Sequence, residues 1–484
     1  MQQTLADSLV LATAGAALGL GLAWLALGAV PSLALGDLPS SSNIAMNLRV
    51  AAIAALAGVV VAVAVAVLPA VQASRVVLYA KIRDGARTVN GAGGRLRSAL
   101  VHAEVALAIV LLVSAGLLAR SFYSLTRVNP GFRAEALLAS GVPMPGTRYP
   151  TPDSRRAFVA RTLDAVGSLP GVSAAAAVNR LPLGGANVIV GVEIEGQPQP
   201  DGPVSMDRRV VTPGYFDTLG IPQLSGRRFG IEDRPDAVDR VVAINEAVAR
   251  RFWPQGDAVG KRLRLMLRGG PGPWLNITGV VGNVRHHGLD RPAQPEVYVP
   301  YAQAPVESMV FLTQTPGDPA HLFEPVRQAI QAIDPLLPVR QDMPLDLIDA
   351  SVAEPRLRAL LFNGFALAAL LLSALGIYGV VSYGVAERTR EIGVRMALGA
   401  TRGSILTLVM RGGLRTVVLG IAGGLALSTV ATRAMRGLLF GVPAFDPVTL
   451  AAVTSALLFV AVIAILVPAR RAMRLDPIRA LKID

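Results

Sequence analysis

The 484-residue sequence contains no cysteine. This removes disulfide frameworks, thiolate metal sites and thiol nucleophiles together, whatever the redox compartment. Charge is also scarce, at 16% of residues against 52% hydrophobic, with a mean hydropathy of +0.50. That balance is too apolar for an ordinary soluble protein and places the chain in a membrane. Lysine is nearly missing, occurring only at Lys81, Lys261 and Lys482, so arginine carries the formal net charge of +13. Such a charge can signal a nucleic-acid partner. Here no basic stripe interleaved with aromatics occurs, and the arginines crowd beside apolar runs, which is the pattern of membrane orientation; a nucleic-acid partner is not expected.

Enzymatic motifs are missing as well. No H-E-x-x-H, G-x-S-x-G or S-x-x-K occurs. The stretch QGDAVGKRL (Gln255 to Leu263) resembles a phosphate loop, but Gln255 and Arg262 stand where Gly and Ser or Thr are required. His286 and His287 are adjacent and have neither a helical i, i+4 partner nor a nearby cysteine, so they read as a surface or packed pair and no metal site is expected. The chain is therefore read as having no enzymatic activity and no resident cofactor.

What is present is a set of long apolar runs. A membrane-spanning helix needs roughly 20 apolar residues, and six segments approach or meet this: Leu9 to Val30, Val50 to Val71, Leu100 to Leu118, Ala359 to Val381, Thr416 to Ala431 and Leu450 to Val467. The fifth is short and follows SILTLVMRGGLR, which reads as an amphipathic approach helix in the interface. The first starts with no basic residues and is too long for a signal-peptide core, so it reads as a retained span. Arginine and lysine concentrate between the second and third spans, between the fourth and fifth, and at the C-terminus. By the positive-inside rule those regions and both termini are cytoplasmic. The polar segment from about Arg120 to Arg358 is then outside. Its texture is α+β: PDSRRAFVARTLDAVGSLP reads as a helix, NVIVGVEIEG and NITGVVGNV as strands, and VVAINEAVARRFWP as strand then helix. Leu322, Val326, Ile330 and Ile333 form one face of a further helix. The fold class predicted is thus an α-helical membrane protein with six transmembrane helices and an inserted α+β extracytoplasmic domain.

The first and last pairs of spans look like copies. GAALGLGL (Gly15 to Leu22) and GIAGGLAL (Gly420 to Leu427) share G-x-x-x-G-L-x-L, and PAVQASR and PARRAMR share P-A-x-x-A-x-R at a cytoplasmic exit. Gly15, Gly19, Gly420 and Gly424 are candidate helix-packing positions, where small residues let backbones approach. Glu104, early in the third span, is a carboxylate close enough to the inner interface to meet Arg97 or Arg95 or to reach water.

Between the fourth and fifth spans the chain reads ERTREIGVRMALGATRGSI (Glu387 to Ile405). Glu391 and Arg395 stand i, i+4 on one helix face, Arg388 lies three residues before Glu391, and Gly399 and Gly403 allow the chain to leave that helix. This segment resembles the cytoplasmic loop of FtsX/MacB-type ABC transporter permeases, in which E/R-R-E-I-G-x-x-x-A-L-G-A opens a short helix that docks on the ATPase. VTPGYFDTLGIPQLSGRRF, VVAINEAVARRFWPQGDAVGKRL, RLRSALVHAEVALAIVLLVSAGLLARSF and DPIRALK resemble other parts of the same family. The resemblance implies two spans from a first FtsX-like half at 1–72, a cytoplasmic linker at 73–98, a span leading outward at 99–120, a MacB-like core domain at 121–356 and an FtsX-like permease domain at 357–484.

It further implies that Arg388, Arg390, Glu391, Arg395, Gly399 and Arg402 form the docking contact with a separate cytoplasmic ATPase, which binds the ATP. In the duplicated pattern of this family only the second half is complete here. Either the rest lies upstream, or the gene is split or decayed, or another subunit supplies it, so a second permease half or a homodimer is an expected partner, together with membrane lipid and a periplasmic adaptor. The function implied is efflux or extrusion by mechanotransmission across the inner (plasma) membrane; the rival is a signal transducer that switches an external cell-wall hydrolase.

Overall fold

The computed structural model describes residues 90–474 apart from 186, 199–201, 238, 268 and 444, with side chains from 97 onward, and scattered positions between 13 and 58. The spans predicted at Leu9 to Val30 and Val50 to Val71 lie largely outside the described residues, as do the loop from Arg75 and the C-terminal DPIRALK. The chain forms two compact units, Met1–Thr126 with Ala353–Asp484, and Arg127–Val352.

Helix α1 (Asn90–Thr126) opens the described chain. The 127–352 unit then alternates strands and helices: β1 (Leu137–Pro143), α2 (Pro152–Gly167), β2 (Ala174–Val178), β3 (Ile189–Ile194), β4 (Val204–Val211), α3 (Tyr215–Thr218), β5 (Gln223–Gly226), β6 (Val241–Asn245), α4 (Glu246–Phe252), β7 (Arg262–Leu267), β8 (Gly270–Val281), β9 (Glu296–Pro300), β10 (Ser308–Gln314), α5 (Phe323–Ile333) and β11 (Arg340–Asp342). Helix α2 starts where Thr151 accepts a hydrogen bond from the Ser154 amide at 3.2 Å, with Pro152 at its first position, where a missing N–H costs nothing. Its Phe158 packs with Val326 and Ile330 of α5 and with Leu138 and Phe311 of the strands β1 and β10.

The sheet runs β11-β1-β10-β2-β4-β3-β7-β8-β6-β9 and then returns, because β4 also pairs in parallel with β9. The strands β4, β3, β7, β8, β6 and β9 thus close into a ring. All of them contribute to one apolar cluster, including Val192, Met206, Leu263, Ile277, Val242 and Val297, so that cluster fills the ring. The alternation of the pleat turns Asp207, Arg209 and Val211 of β4 to the other face. There Arg209, fully buried, donates through Nε to Glu296 Oε1 at 2.6 Å, and the Tyr298 hydroxyl donates to Glu296 Oε2 at 2.6 Å. His286 Nε2 stands 3.0 Å from Glu296 Oε2, and His287 Nε2 stands 2.6 Å from Asp207 Oδ2. The two histidines are thus packed against carboxylates, and no metal-ligating cluster occurs among the described residues. Burial pushes the Glu296 carboxyl up, but the neighbouring His286 and Arg209 and the hydrogen bond from Tyr298 outweigh it and hold that group below the usual carboxylate range.

The chain continues through α6 (Pro344–Glu387), α7 (Thr389–Ala397), α8 (Arg402–Ala434) and α9 (Pro447–Ala472). Four described helices are long and apolar enough to cross a membrane: Arg97–Thr126, Pro344–Glu387, Arg402–Ala434 and Pro447–Ala472. They contain the third to sixth predicted spans. One expectation is corrected here: SILTLVMRGGLR is not a separate approach helix, since α8 runs unbroken for 33 residues. No proline interrupts it, and Gly413 in its middle is held against the side chain of Ile465, where an added Cβ would come within 2.9 Å. Asp446 caps α9 by accepting from the Thr449 amide at 3.0 Å and also pairs with Arg120 at the end of α1.

Candidate docking helix and adjoining cleft

Helix α6 ends where the Thr389 hydroxyl donates to the Ala386 carbonyl at 2.9 Å, and α7 follows after Arg388. Glu391 in its first turn and Arg395 in its last complement the helix dipole. The chain then reverses at Gly399, whose φ of +94° is open to glycine at little cost, while the Ala400 amide donates to the Arg395 carbonyl at 2.9 Å. Thr401 caps α8, accepting from the Ser404 amide at 3.3 Å. Gly403 takes no part in this reversal: it lies in the first turn of α8. The expectation that two glycines make the exit is corrected to one, because the cap at Thr401 already starts the next helix.

One face of α7 is anchored. Ile392 is buried with Ile405 of α8 and Ala472 of α9, and Met396 packs beside them. The other face is open to solvent and carries Arg390, Glu391, Val394, Arg395 and Ala397. Glu391 and Arg395 form an exposed ion pair at 2.6 Å, which engages each with the other, and Arg388 is not part of it. An exposed pair of this kind stabilises the helix by only about 0.3–0.5 kcal/mol. Leu398 projects beyond the helix end at 83% exposure, an apolar residue at the tip of a charged face. Sequence reasoning missed it because A-L-G-A was read for its glycine; the signal was a leucine directly before a helix-terminating glycine.

The structure therefore brings Arg388, Arg390, Glu391, Arg395, Gly399 and Arg402 onto one short helix, its turn and the start of α8. Gly420 and Gly424 lie farther along α8 against α1. A Cβ at 420 would come within 2.7 Å of the Val105 side chain, and one at 424 within 2.8 Å of the Ala106 carbonyl. At Gly15 and Gly19 an added Cβ would have no neighbour within 4 Å among the described residues. Glu104 does not meet Arg97: its carboxylate lies over Gly376 of α6, while the Arg97 guanidinium stacks on the Tyr383 ring at 3.9 Å.

Beside α7 a cleft of about 780 Å³ opens among α1, α6, α7 and α8. Arg97, His102, Tyr383 and Arg388 supply polar atoms to it, and Val101, Ile377, Val381, Leu408 and Val409 supply apolar wall.

A bundle of apolar helices, an inserted α+β unit and a short charged helix held between two spans define the architecture of a membrane permease. The sequence matches the family model of the MacB-like periplasmic core domain over residues 50–332, more than half of the chain, and that of the FtsX-like permease C-terminal over residues 363–477. The chain belongs to the FtsX/MacB-type family of ABC transporter permeases. It is similar to the pyoverdine export ATP-binding/permease protein PvdT of Pseudomonas aeruginosa, 28% identical over 280 residues, which are 55% of this chain and 41% of that protein. The ABC transporter permease YvrN of Bacillus subtilis is 29% identical over 297 residues, 56% of this chain and 68% of that one. The match thus spans about two fifths of the length of PvdT. The solved periplasmic region of MacB from Actinobacillus actinomycetemcomitans superposes with a TM-score of 0.32 at 11% identity, over 46% of this chain and 95% of that one. Family membership stands on the sequence matches.

Proposed function

We propose that the chain is the permease subunit of an ABC system, working in the inner (plasma) membrane with both termini and α7 cytoplasmic and the 127–352 unit outside. A separate cytoplasmic ATPase binds and hydrolyses ATP; the permease has no catalytic site or cofactor of its own. ATPase closure pushes α7, and the spans transmit that push to the outer unit, so that cargo is extruded by mechanical transmission. The observation that carries this reading is the two-sided character of α7. Ile392 fastens one face to α8 and α9, so force on the helix is passed to those spans, and the opposite face offers charge and an exposed leucine to a protein partner. Efflux is favoured over signalling by the relative PvdT, whose name describes pyoverdine export. A second permease half or a second copy, and a periplasmic adaptor, complete the assembly proposed.

Pull-down of the cognate ATPase from membranes tests this. Glu391→Lys places a like or unpaired charge at the contact, a change that can cost several kcal/mol, and Leu398→Asp removes the apolar tip. Both variants should insert normally and lose the ATPase; undiminished recovery with both rejects docking through α7. Orientation is tested separately in the cysteine-free chain by labelling Ile231→Cys, at a site 83% exposed. A reagent that does not cross the membrane should label it in intact cells, and labelling only after permeabilisation would reverse the topology.

A further inference from the structure

The cleft beside α7 is suited to a molecule that is part hydrocarbon and part anion. Its volume of about 780 Å³ lies in the range of ligand sites, roughly 300–1,000 Å³. Its apolar wall is continuous with the membrane-spanning parts of α6 and α8, through Ile377, Val381, Leu408 and Val409. Two arginines reach it. Arg97 uses the flat face of its guanidinium to stack on Tyr383, which leaves the N–H edge for an acceptor. Among the described residues neither Arg97 nor Arg388 has an acidic partner, and Glu387 is the one carboxylate among those lining the cleft. His102 adds a buried Nε2 with no hydrogen-bond partner among the described residues. Such an atom is open to a hydrogen bond from a bound molecule.

Two glycines create the space. Gly384 and Gly412 both line the cleft, and an added Cβ at either would meet nothing within 4 Å among the described residues. Glycine is less favourable than alanine inside a helix. Both positions lie within helices that have room for a side chain, so the sequence keeps the volume open at some expense of helix stability. Gly413 and Gly420, by contrast, are pressed against neighbouring side chains.

We propose that this cleft binds an anionic phospholipid, with its phosphate at Arg97 and Arg388 and its acyl chains along the apolar wall. Charge decides between lipid classes: a zwitterionic headgroup would bring a second cation to a rim that already has two arginines against one carboxylate. The apolar wall decides between lipid and free phosphate, because a free anion would leave that surface uncovered. The proposal concerns the helical unit alone and is read out without the ATPase, so its failure and that of α7 docking are separable.

The test is native mass spectrometry of the purified full chain in detergent, titrated in separate arms with dioleoyl phosphatidylglycerol, dioleoyl phosphatidylcholine and inorganic phosphate. One phosphatidylglycerol should bind at least about tenfold more tightly than phosphatidylcholine, and phosphate should not displace it. Arg97→Gln should weaken that binding roughly fivefold, the loss of one cation's attraction for an anionic lipid. Gly412→Leu and Gly384→Leu should each abolish the tight site by filling it. Thermal unfolding of the lipid-free variants shows whether they are folded, and if neither glycine variant folds, Arg97→Gln decides. Equal affinity for the two lipids, displacement by inorganic phosphate, or unchanged binding in the folded glycine variants would each overturn the proposal. So would efficient cross-linking between copies of Gly412→Cys, which would make the cleft a protein interface.

Discussion

The two units spend their interiors differently. In the 127–352 unit the inside of the ring is apolar, and its outer face, also buried, holds ions, with Arg209, Glu296 and Asp207 all at 4% exposure or less. In the helical unit close approaches come from missing side chains, at Gly376 of α6 and at Gly420 and Gly424 of α8, while Phe365, Leu371 and Leu375 of α6 face outward. The difference follows from the surrounding solvent. Water drives the apolar residues of the α+β unit inward, and the interior they form can then hold a paired ion cluster as well. Lipid gives apolar side chains no reason to turn inward, so the helices associate through close backbone contact.

Breaking each kind of interior should have a characteristic cost. The largest effect is expected for Glu296→Ala, which strands the buried Arg209 guanidinium and should cost the α+β unit about 3–5 kcal/mol. Trp253 and Trp274 both lie in that unit and would follow its urea unfolding; a loss below about 1 kcal/mol would mean that the ions there are dispensable. Next comes a pair of adjacent substitutions in α8. Gly424→Leu should cost about 1–3 kcal/mol by forcing α1 away. Gly423→Ala, where nothing lies within 4 Å, should be neutral or stabilising by up to about 1 kcal/mol. Thermal melts in detergent compare them, and equal effects would deny that glycine contacts pack this bundle.

A smaller effect is expected from acid. The Glu296 carboxyl is held below its ordinary value, so its contribution is complete above the unfolded pKa of about 4.3 and is lost as pH falls through the lower folded one. Unfolding midpoints of the α+β unit should drop below about pH 4, and that component of the drop should vanish in Glu296→Gln; an identical acid profile in the variant would assign the loss to other carboxylates. The smallest effect is Glu391→Ala, which removes an exposed pair and should change stability by no more than about 0.5 kcal/mol. A larger loss would show that α7 is held by its charges and not by Ile392.

Much of this was legible in the sequence, for reasons that differ by element. The third to sixth spans declared themselves by length and apolarity, and α2, α5 and β6 with α4 by the period of their apolar residues. The closure of β4 onto β9 could not be read, because parallel pairing between segments some 90 residues apart leaves no local signal. The same holds for His286 and His287, which find Glu296 and Asp207 only once the strands are in register. For the docking segment the helix and its exit at Gly399 follow from local chemistry. Which face is fastened depends on Ile405 and Ala472, brought from two other helices, and so does the freedom of Leu398 to project.

The closed ring in the α+β unit has a mechanical consequence. An open sheet pulled at its border unzips, surrendering one ladder bond after another, whereas a circuit of paired strands has no border at which peeling begins. To open it, a whole ladder must yield together, so load entering this part of the molecule meets something that flexes and recoils without fraying. The outermost strands left are β5 and the three-residue β11, both too short to offer a foreign strand much to copy. Under the mechanism proposed above, such a unit needs both properties, recoil and a sealed border, and one strand pairing supplies them together.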